Sequence, residues 1–399
     1  MNQRTEKDSL GKKKLPKESY YGIHTQRALE NIQISNRTLD PELFYAIAEI
    51  KEASTKTNLQ LNLLRKSEAH AIIKACQEIQ KGKFDYDFLV DIFQTSTGAE
   101  AHMNVNEVIA NRAIEFLQGK KGDYSLIDPI DHINPEQDDT DVFSNAIKIA
   151  TVKKLYSLNY ELTSLQRSFL LKSKQFKKSK RTNLNLPVTN LAKEFHNHST
   201  TIKKDLERLD GTMSSLLHLN IGKNTGLNTY LDFRKKTISN LKKINNVPWK
   251  QAHNQIETTQ TTTDFLETAE ILKTISANLI RITNNINLLQ PNPEIVGILN
   301  IVCSQVIGYE EAIATSAQIN QLNIALPLIA HNLLESTEIL TNSINLFNEK
   351  CIKTLKPTKN IYEYHLKNQK DQGTLSNRYR RFEKTDLDRV LKYRQLTKT

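Results

Sequence analysis

The sequence predicts a mostly α-helical protein organised around a bundle of long helices. Three observations carry this. Gly and Pro are scarce, 12 and 10 in 399 residues, so few positions interrupt a helix. Leu, Ile, Lys, Glu and Gln abound, a mixture that favours helix over strand. Apolar residues recur at helical spacing over runs far longer than the about 11 to 12 residues of an average helix. With 38% hydrophobic residues the chain can bury a sizeable core and is not a disordered tail.

The elements follow in order. Residues 1–38 read as an extended or loop-rich opening. Asp40-Pro41-Glu42 then supplies an N-cap, a proline at the first helical position and an acidic first turn. A helix is expected from there to Leu64, with Leu43, Phe44, Ile47 and Ile50 on its apolar face. Further helices are expected over residues 68–82 and 105–117. The Gly, Pro and Asp clusters of residues 119–137 mark an irregular connection. Long helices are then expected over residues 141–176, 190–217, 255–289, 294–307 and 310–355. Pro327 falls inside the last and predicts a kink or a local break near Leu326. Leu272, Ile275, Leu279, Ile282 and Ile286, with others offset between them, give apolar surface on several sides, which favours contacts with other subunits. No repeat of 20–50 residues is visible, which argues against a solenoid.

Charge and cysteines narrow the function classes. The net charge is +11, and from Leu355 onward twelve Lys/Arg face five Asp/Glu, so most of the excess sits in the tail. Tyr362, Tyr364, Tyr379, Phe382 and Tyr393 interleave with those charges, a pattern that can bind single strands. A solvated C-terminal cap is the commoner use of such a segment, and no nucleic-acid partner is expected. The opening MNQRTEKDSLGKKK has no apolar core of a signal peptide, and no run approaches the roughly 20 apolar residues of a membrane span, so the cytoplasm is expected and a membrane is not. Cys76, Cys303 and Cys351 are odd in number and widely spaced, suggesting neither a disulfide framework nor a zinc motif but buried helix cysteines. His196 and His198, two apart, lie on different sides of a helix and cannot ligate a metal together. No cofactor is expected.

Four segments carry a resemblance: LPKESYYGIHTQRALENIQIS from Leu15, GAEAHMNVNEVIANRA from Gly98, DHINPEQDDTDVFSNAIKIA from Asp131, and QLNIALPLIAHNLLESTEILTNSINLFNEKCI from Gln321. In this order they resemble the aspartase/fumarase superfamily, and its aspartate ammonia-lyase branch in particular. The resemblance implies an N-terminal domain over residues 1–126, a central helical bundle over 127–354 and a shortened, basic C-terminal segment over 355–399. It also implies a homotetramer whose central helices form a twenty-helix core, with active sites assembled from three subunits. A mixed oligomer with an active paralogue is compatible with that arrangement. The family's chemistry is carbon–nitrogen or carbon–oxygen elimination from a small dicarboxylate. A serine on a mobile loop removes a proton, and fixed donors and a lysine stabilise the enediolate.

This sequence departs from the pattern where the chemistry resides. The family loop reads G-S-S-x-M-P-x-K-x-N-P. Here Asn284-Asn285-Ile286-Asn287-Leu288-Leu289 runs directly into Gln290-Pro291-Asn292-Pro293, so Gln290 stands at the lysine position and no serine remains. In the second segment Ala99, Glu100 and His102 replace the family's polar residues, while Asn104, Asn106 and Glu107 are retained. Asp138-Asp139-Thr140-Asp141 stands where the family places Ser-Ser/Thr-Asn-Asp. In the remaining substrate-facing segment Arg181 and Thr182 are kept, but the His/Gln position is Asn183. The implied remnant pocket is therefore Ala99, Glu100, His102, Asn104, Asp138, Asp139, Thr140, Asp141, Arg181, Thr182, Asn183, Gln290 and Asn292, with no catalytic residue and no metal assigned.

A dicarboxylate entering beside Glu100, Asp138 and Asp139 would meet like charges, each costing about 3–4 kcal/mol at an effective dielectric near 20. The expectation is a catalytically degenerate member acting as a scaffold or regulatory partner. Two alternatives remain open. Glu100, His102, Asp138, Asp139 and Asp141 could hold a cation, or an active lyase could use His102 or Asp139 as a rearranged base. Arg27 either touches a carboxylate or makes a structural pair with Glu30 or a neighbouring helix.

Overall fold

The scarcity of helix breakers becomes ten α-helices among the described residues, the longest of 41 residues. The structure is a computed structural model that describes residues 2–94, 97–135, 137–179, 188–222, 228–252, 262–287, 289, 292–318 and 326–356. Two strands open the chain, β1 (Gln3–Asp8) and β2 (Gly11–Pro16), followed by α1 (Ile23–Asn31), α2 (Pro41–Gln60), α3 (Lys66–Ile79) and α4 (Ala99–Phe116). Next come α5 (Asp139–Ser179), α6 (Val188–Leu216), β3 (His218–Leu219), α7 (Asn228–Asn245) and β4 (Lys250–Gln251). The last helices are α8 (Thr263–Asn287), α9 (Pro293–Gln318) and α10 (Leu326–Phe347), which ends in a π-helical turn, Asn348–Ile352.

The chain forms two compact units. The first comprises residues 1–160, 206–274 and 304–341. Its centre is α2, which packs against α3, α4 and α7. Asp40 caps α2 as predicted: its Oδ1 accepts a hydrogen bond from the Glu42 amide at 2.8 Å, and Pro41 opens the helix. Leu43, Phe44, Ile47 and Ile50 are all buried, as are Ile72 and Ile79 of α3 and Val105 and Ile109 of α4.

The opening segment is more structured than the sequence predicts. β1 and β2 pair antiparallel, Gln3 opposite Pro16 and Asp8 opposite Gly11. This charged hairpin is held from outside its own ladder. The Arg4 guanidinium donates to the carbonyls of Pro16, Ser19 and Tyr21 at 3.0, 2.5 and 2.6 Å. Arg27 forms a two-pronged pair with Asp8, 2.7 Å on each arm, while Glu30 pairs with Lys13 instead. Neither structural partner expected for Arg27, Glu30 or a neighbouring helix, is the one it takes: Asp8 ends the strand β1.

Helix α7 occupies a stretch for which the sequence predicts none. It is fastened to α2 by Thr237 and Asn240, both donating to Thr57 Oγ1 at 3.0 Å. Trp249 lies just beyond it, fully buried, with its indole N–H on Asn245 Oδ1 at 2.9 Å. The expected break between residues 307 and 310 is absent, since α9 continues to Gln318. Pro327 is the second residue of α10, in the first turn, where its missing N–H has no helical partner to lose. A helix that starts at Leu326 fits the expected local break and not the kink.

The second unit comprises residues 161–205, 275–303 and 342–399, of which residues 357–399, the basic tail, lie outside the described residues. Phe169, Phe176, Phe195 and His198 form an aromatic cluster with ring centroids 5.0–6.1 Å apart. His198 is buried and His196 is exposed, on opposite sides as predicted. Asn348 bonds Ser164 at 2.9 Å, and the buried Lys172 donates to the carbonyls of Lys353 and Leu355 at 2.8 and 2.7 Å. All three cysteines are free and buried.

By length and composition α9 could cross a membrane, which the sequence does not predict for any segment. Its polar positions are used within the protein: Thr283 on α8 donates to Asn300 at 2.5 Å, and Lys273 pairs with Glu310 at 2.5 Å. Ile298 and Ile301 remain exposed.

Candidate functional site

The site is built where α4 begins. Gly98 adopts a left-handed conformation, φ +76°, and a Cβ there would lie 2.6 Å from the Phe143 ring of α5. Only glycine allows that approach. It brings the first turn of α4, with Ala99, Glu100 and His102, to the start of α5, where Asp138, Asp139, Thr140 and Asp141 lie.

Of these residues, His102 and Asp139 meet directly. His102 is fully buried, and its Nδ1 is 2.9 Å from Asp139 Oδ1. Burial and the nearby Lys51 ammonium push the imidazole down to about 4, so it is neutral at pH 7. With a carboxylate as acceptor, Nδ1 carries the hydrogen and Nε2 is left to accept from the Asn106 amide at 3.5 Å, a long contact. The hydrogen bond from His102 holds the Asp139 carboxyl below the usual carboxylate range.

Beneath this pair lies Lys51, wholly buried on α2. Burial pushes its ammonium down to about 7. It donates to Asn134 Oδ1 at 2.5 Å and to Gln137 Oε1 at 2.7 Å, and Gln137 passes a hydrogen bond to Ser54. Asn134 also turns its amide toward Asp139 Oδ1 at 3.4 Å, bridging Lys51 and the carboxylate. Lys51, Asn134 and Gln137 are not among the sites that the sequence predicts. A signal existed: Lys51 continues the Leu43–Ile47 stripe at four-residue spacing, where a lysine has to be buried.

The remaining predicted residues do other work. Asp138 is exposed, and its Oδ1 accepts the Thr140 amide at 2.9 Å, capping α5. Asp141 Oδ1 accepts from Asn220 at 3.3 Å, beside a reciprocal pair in which Asn145 donates to the Asn220 carbonyl and accepts its amide. Asn104 donates to the Asp87 carbonyl at 3.0 Å, on the side of the opening segment. Glu107 clamps the start of α1, accepting from the amides of Gly22, His24 and Thr25 at 2.8, 2.8 and 3.1 Å and from the Thr25 hydroxyl at 2.6 Å. Asn292 belongs to the second unit, where it caps α9. Arg181, Thr182, Asn183 and Gln290 lie outside the described residues. Among the described residues no three His, Cys, Asp or Glu side chains gather into a group that could hold a metal, so the cation reading of the acidic residues finds no cluster.

Comparison with known proteins places this arrangement. A family profile described as Lyase matches residues 11–307. An aspartate ammonia-lyase from a Bacillus species is 33% identical over 388 residues, covering 88% of this chain and 83% of that protein. A class II fumarate hydratase from Wigglesworthia glossinidia brevipalpis is 35% identical over 391 residues, covering 89% and 84%. The crystal structure of a fumarate lyase:delta crystallin from Brucella melitensis, in native form, superposes with a TM-score of 0.83 at 29% identity, over 91% of each chain.

Proposed function

The chain belongs to the aspartase/fumarase superfamily of lyases, and from that premise we propose that it is a catalytically degenerate member, a scaffold or regulatory partner of aspartate ammonia-lyase type. One observation carries the reading. α8 ends at Asn287 and α9 starts at Pro293, so only residues 288–292 connect two helices that in the family pattern are joined through the G-S-S-x-M-P-x-K-x-N-P loop. The base and the loop that would shield it from water have no place in that interval.

The geometry of His102 supports the same conclusion against a rearranged lyase. A general base needs a free nitrogen facing the substrate and a pKa near the working pH. His102 is fully buried, has both nitrogens facing side chains and is pushed down to about 4. Asp139 is held below the usual carboxylate range, which makes it a weak proton acceptor.

The family's architecture extends the proposal to a homotetramer with a three-part subunit, residues 1–126, 127–354 and 355–399. The exposed Ile298 and Ile301 of the apolar α9 suit burial against further copies. Three free, buried cysteines suit a reducing compartment such as the cytoplasm. A mixed oligomer with an active paralogue would place this chain as a regulator. The direct test is the absorbance of fumarate. Purified protein given L-aspartate or L-malate is expected to produce no change, alone or in the reverse direction. Sustained turnover of either would overturn the proposal, and sedimentation at the mass of four chains checks the assembly.

A further inference from the structure

We propose that Asp139 is the built-in occupant of a small-anion site, so that removing its carboxylate opens a binding site for a formate- or acetate-sized monocarboxylate. The inference is independent of whether the chain turns over any substrate.

The observations are geometric. Groups from two separate parts of the chain reach one carboxylate oxygen, and a third part stands behind them. His102 Nδ1 on α4 reaches Oδ1 at 2.9 Å, and Asn134 Nδ2, from the connection before α5, reaches the same oxygen at 3.4 Å. Behind Asn134 stands the Lys51 ammonium of α2, wholly buried and, among the described residues, hydrogen-bonded to two neutral amide oxygens at 2.5 and 2.7 Å. Among the described residues no acidic side chain pairs with Lys51 directly, and Asp139 faces it through the Asn134 bridge as its counter-charge. A buried cation with neutral ligands and an aligned imidazole N–H is a donor set for an anion. The chain supplies that anion from its own α5.

Access distinguishes this from an ordinary internal ion pair. The Asp139 side chain is 43% exposed while the His102 side chain is 0% exposed. The donors thus form the floor and the carboxylate forms the lid, with solvent on its far side. Cutting the side chain back to Gly removes the lid and leaves the floor, in which the His102 N–H has lost its acceptor and Lys51 its counter-charge. A monocarboxylate entering from solvent restores both.

The test uses the full chain as wild type, Asp139→Gly, Asp139→Asn, Lys51→Met and the two double variants with Lys51→Met. Each is titrated with sodium formate against sodium chloride at equal ionic strength, followed by thermal unfolding and calorimetry. Asp139→Gly is expected to unfold at lower temperature than wild type. Formate should raise that temperature along a saturating curve, at concentrations at least about tenfold lower than chloride requires. Wild type and Asp139→Asn, whose sites are filled, should show no saturating response. Asp139→Gly/Lys51→Met should lose the formate preference. An Asp139→Gly protein indifferent to formate, or a wild type responding equally, overturns the proposal. If Asp139→Gly does not fold without formate, the cycle of Asp139→Asn with Lys51→Met decides. Coupling of more than about fivefold in the folding constant is expected, and additivity rejects the counter-charge role of Asp139.

Discussion

Glu107 and Asp139 are both carboxylates tied to α4, and their surroundings differ in kind. Glu107 is 2% exposed and takes all four of its hydrogen bonds from one short stretch of chain, three from backbone amides. Gly22 permits this closeness, since a Cβ there would lie 2.6 Å from Glu107 Oε1. Asp139 takes side-chain donors from His102 and Asn134, with Lys51 behind them. Backbone donors can be matched only by a side chain of the right length and charge. Side-chain donors can be exchanged together. His102 of the first turn of α4 and Asp139 at the start of α5 are such a pair of exchangeable partners.

The comparison is tested most severely by truncating both acids. Glu107→Ala leaves three buried amides and a hydroxyl without an acceptor and is expected to cost about 3–5 kcal/mol in urea unfolding. Asp139→Ala strands one imidazole N–H at a half-open site and is expected to cost about 1–3 kcal/mol. Equal losses would erase the distinction between a backbone clamp and an exchangeable network.

A second test uses acid. His102 is pushed from 6.5 down to about 4 in the folded protein. Between those values the unfolded chain binds a proton that the folded one refuses. The contribution is therefore intact above pH 6.5 and lost as pH falls toward 4, by up to about 1.4 kcal/mol per pH unit and about 3 kcal/mol in all. His102→Gln should flatten the stability profile in this window. His198, pushed to about 4 by burial in the second unit, should give the same change in slope when replaced, without involving Asp139. A His102→Gln profile as steep as wild type would mean the imidazole is not buried in neutral form.

The alkaline side probes Lys51. Its folded value is lowered from 10.5 to about 7, so above pH 7 the unfolded chain holds the proton more tightly and stability rises with pH. From pH 7 to 8.5 the rise from this group is expected to reach about 2 kcal/mol, and Lys51→Met should abolish it. A rise that survives in Lys51→Met belongs to another group and weakens the network as drawn.

These tests also mark what the sequence could and could not disclose. Long helices were legible because they depend on periodicity and on the absence of Gly and Pro, and the α2 start because Asp40-Pro41-Glu42 is a purely local device. The β1–β2 hairpin was not, because its run of lysines lacks strand character and Arg4 ties it to the Ser19 and Tyr21 carbonyls beyond the ladder. Pro327 left two outcomes open, because a proline inside an apolar run reads equally as a kink or as a local break with a fresh first turn. At the site, His102 and Asp139 were each visible as departures from the family pattern, 37 residues apart. Their pairing was not, since nothing local couples the start of α4 to the start of α5. Lys51 was hidden most deeply: within an apolar stripe a single lysine reads as the edge of the face rather than as its centre.

Asp138 gives the smallest effect and separates two readings of the same acid. As a pocket residue its charge would repel a dicarboxylate, and Asp138→Ala would improve retention of fumarate or aspartate. As the cap of α5 it accepts the Thr140 amide at 2.9 Å while its side chain lies in solvent. On that geometry Asp138→Ala should cost about 1 kcal/mol of stability, recovered largely by Asp138→Ser or Asp138→Asn, which cap as well without the full charge. Rescue by serine is the informative arm. A cap needs only an acceptor oxygen at the right height, whereas an electrostatic barrier needs the charge. Denaturant midpoints of the three variants therefore assign the residue without any ligand in the tube.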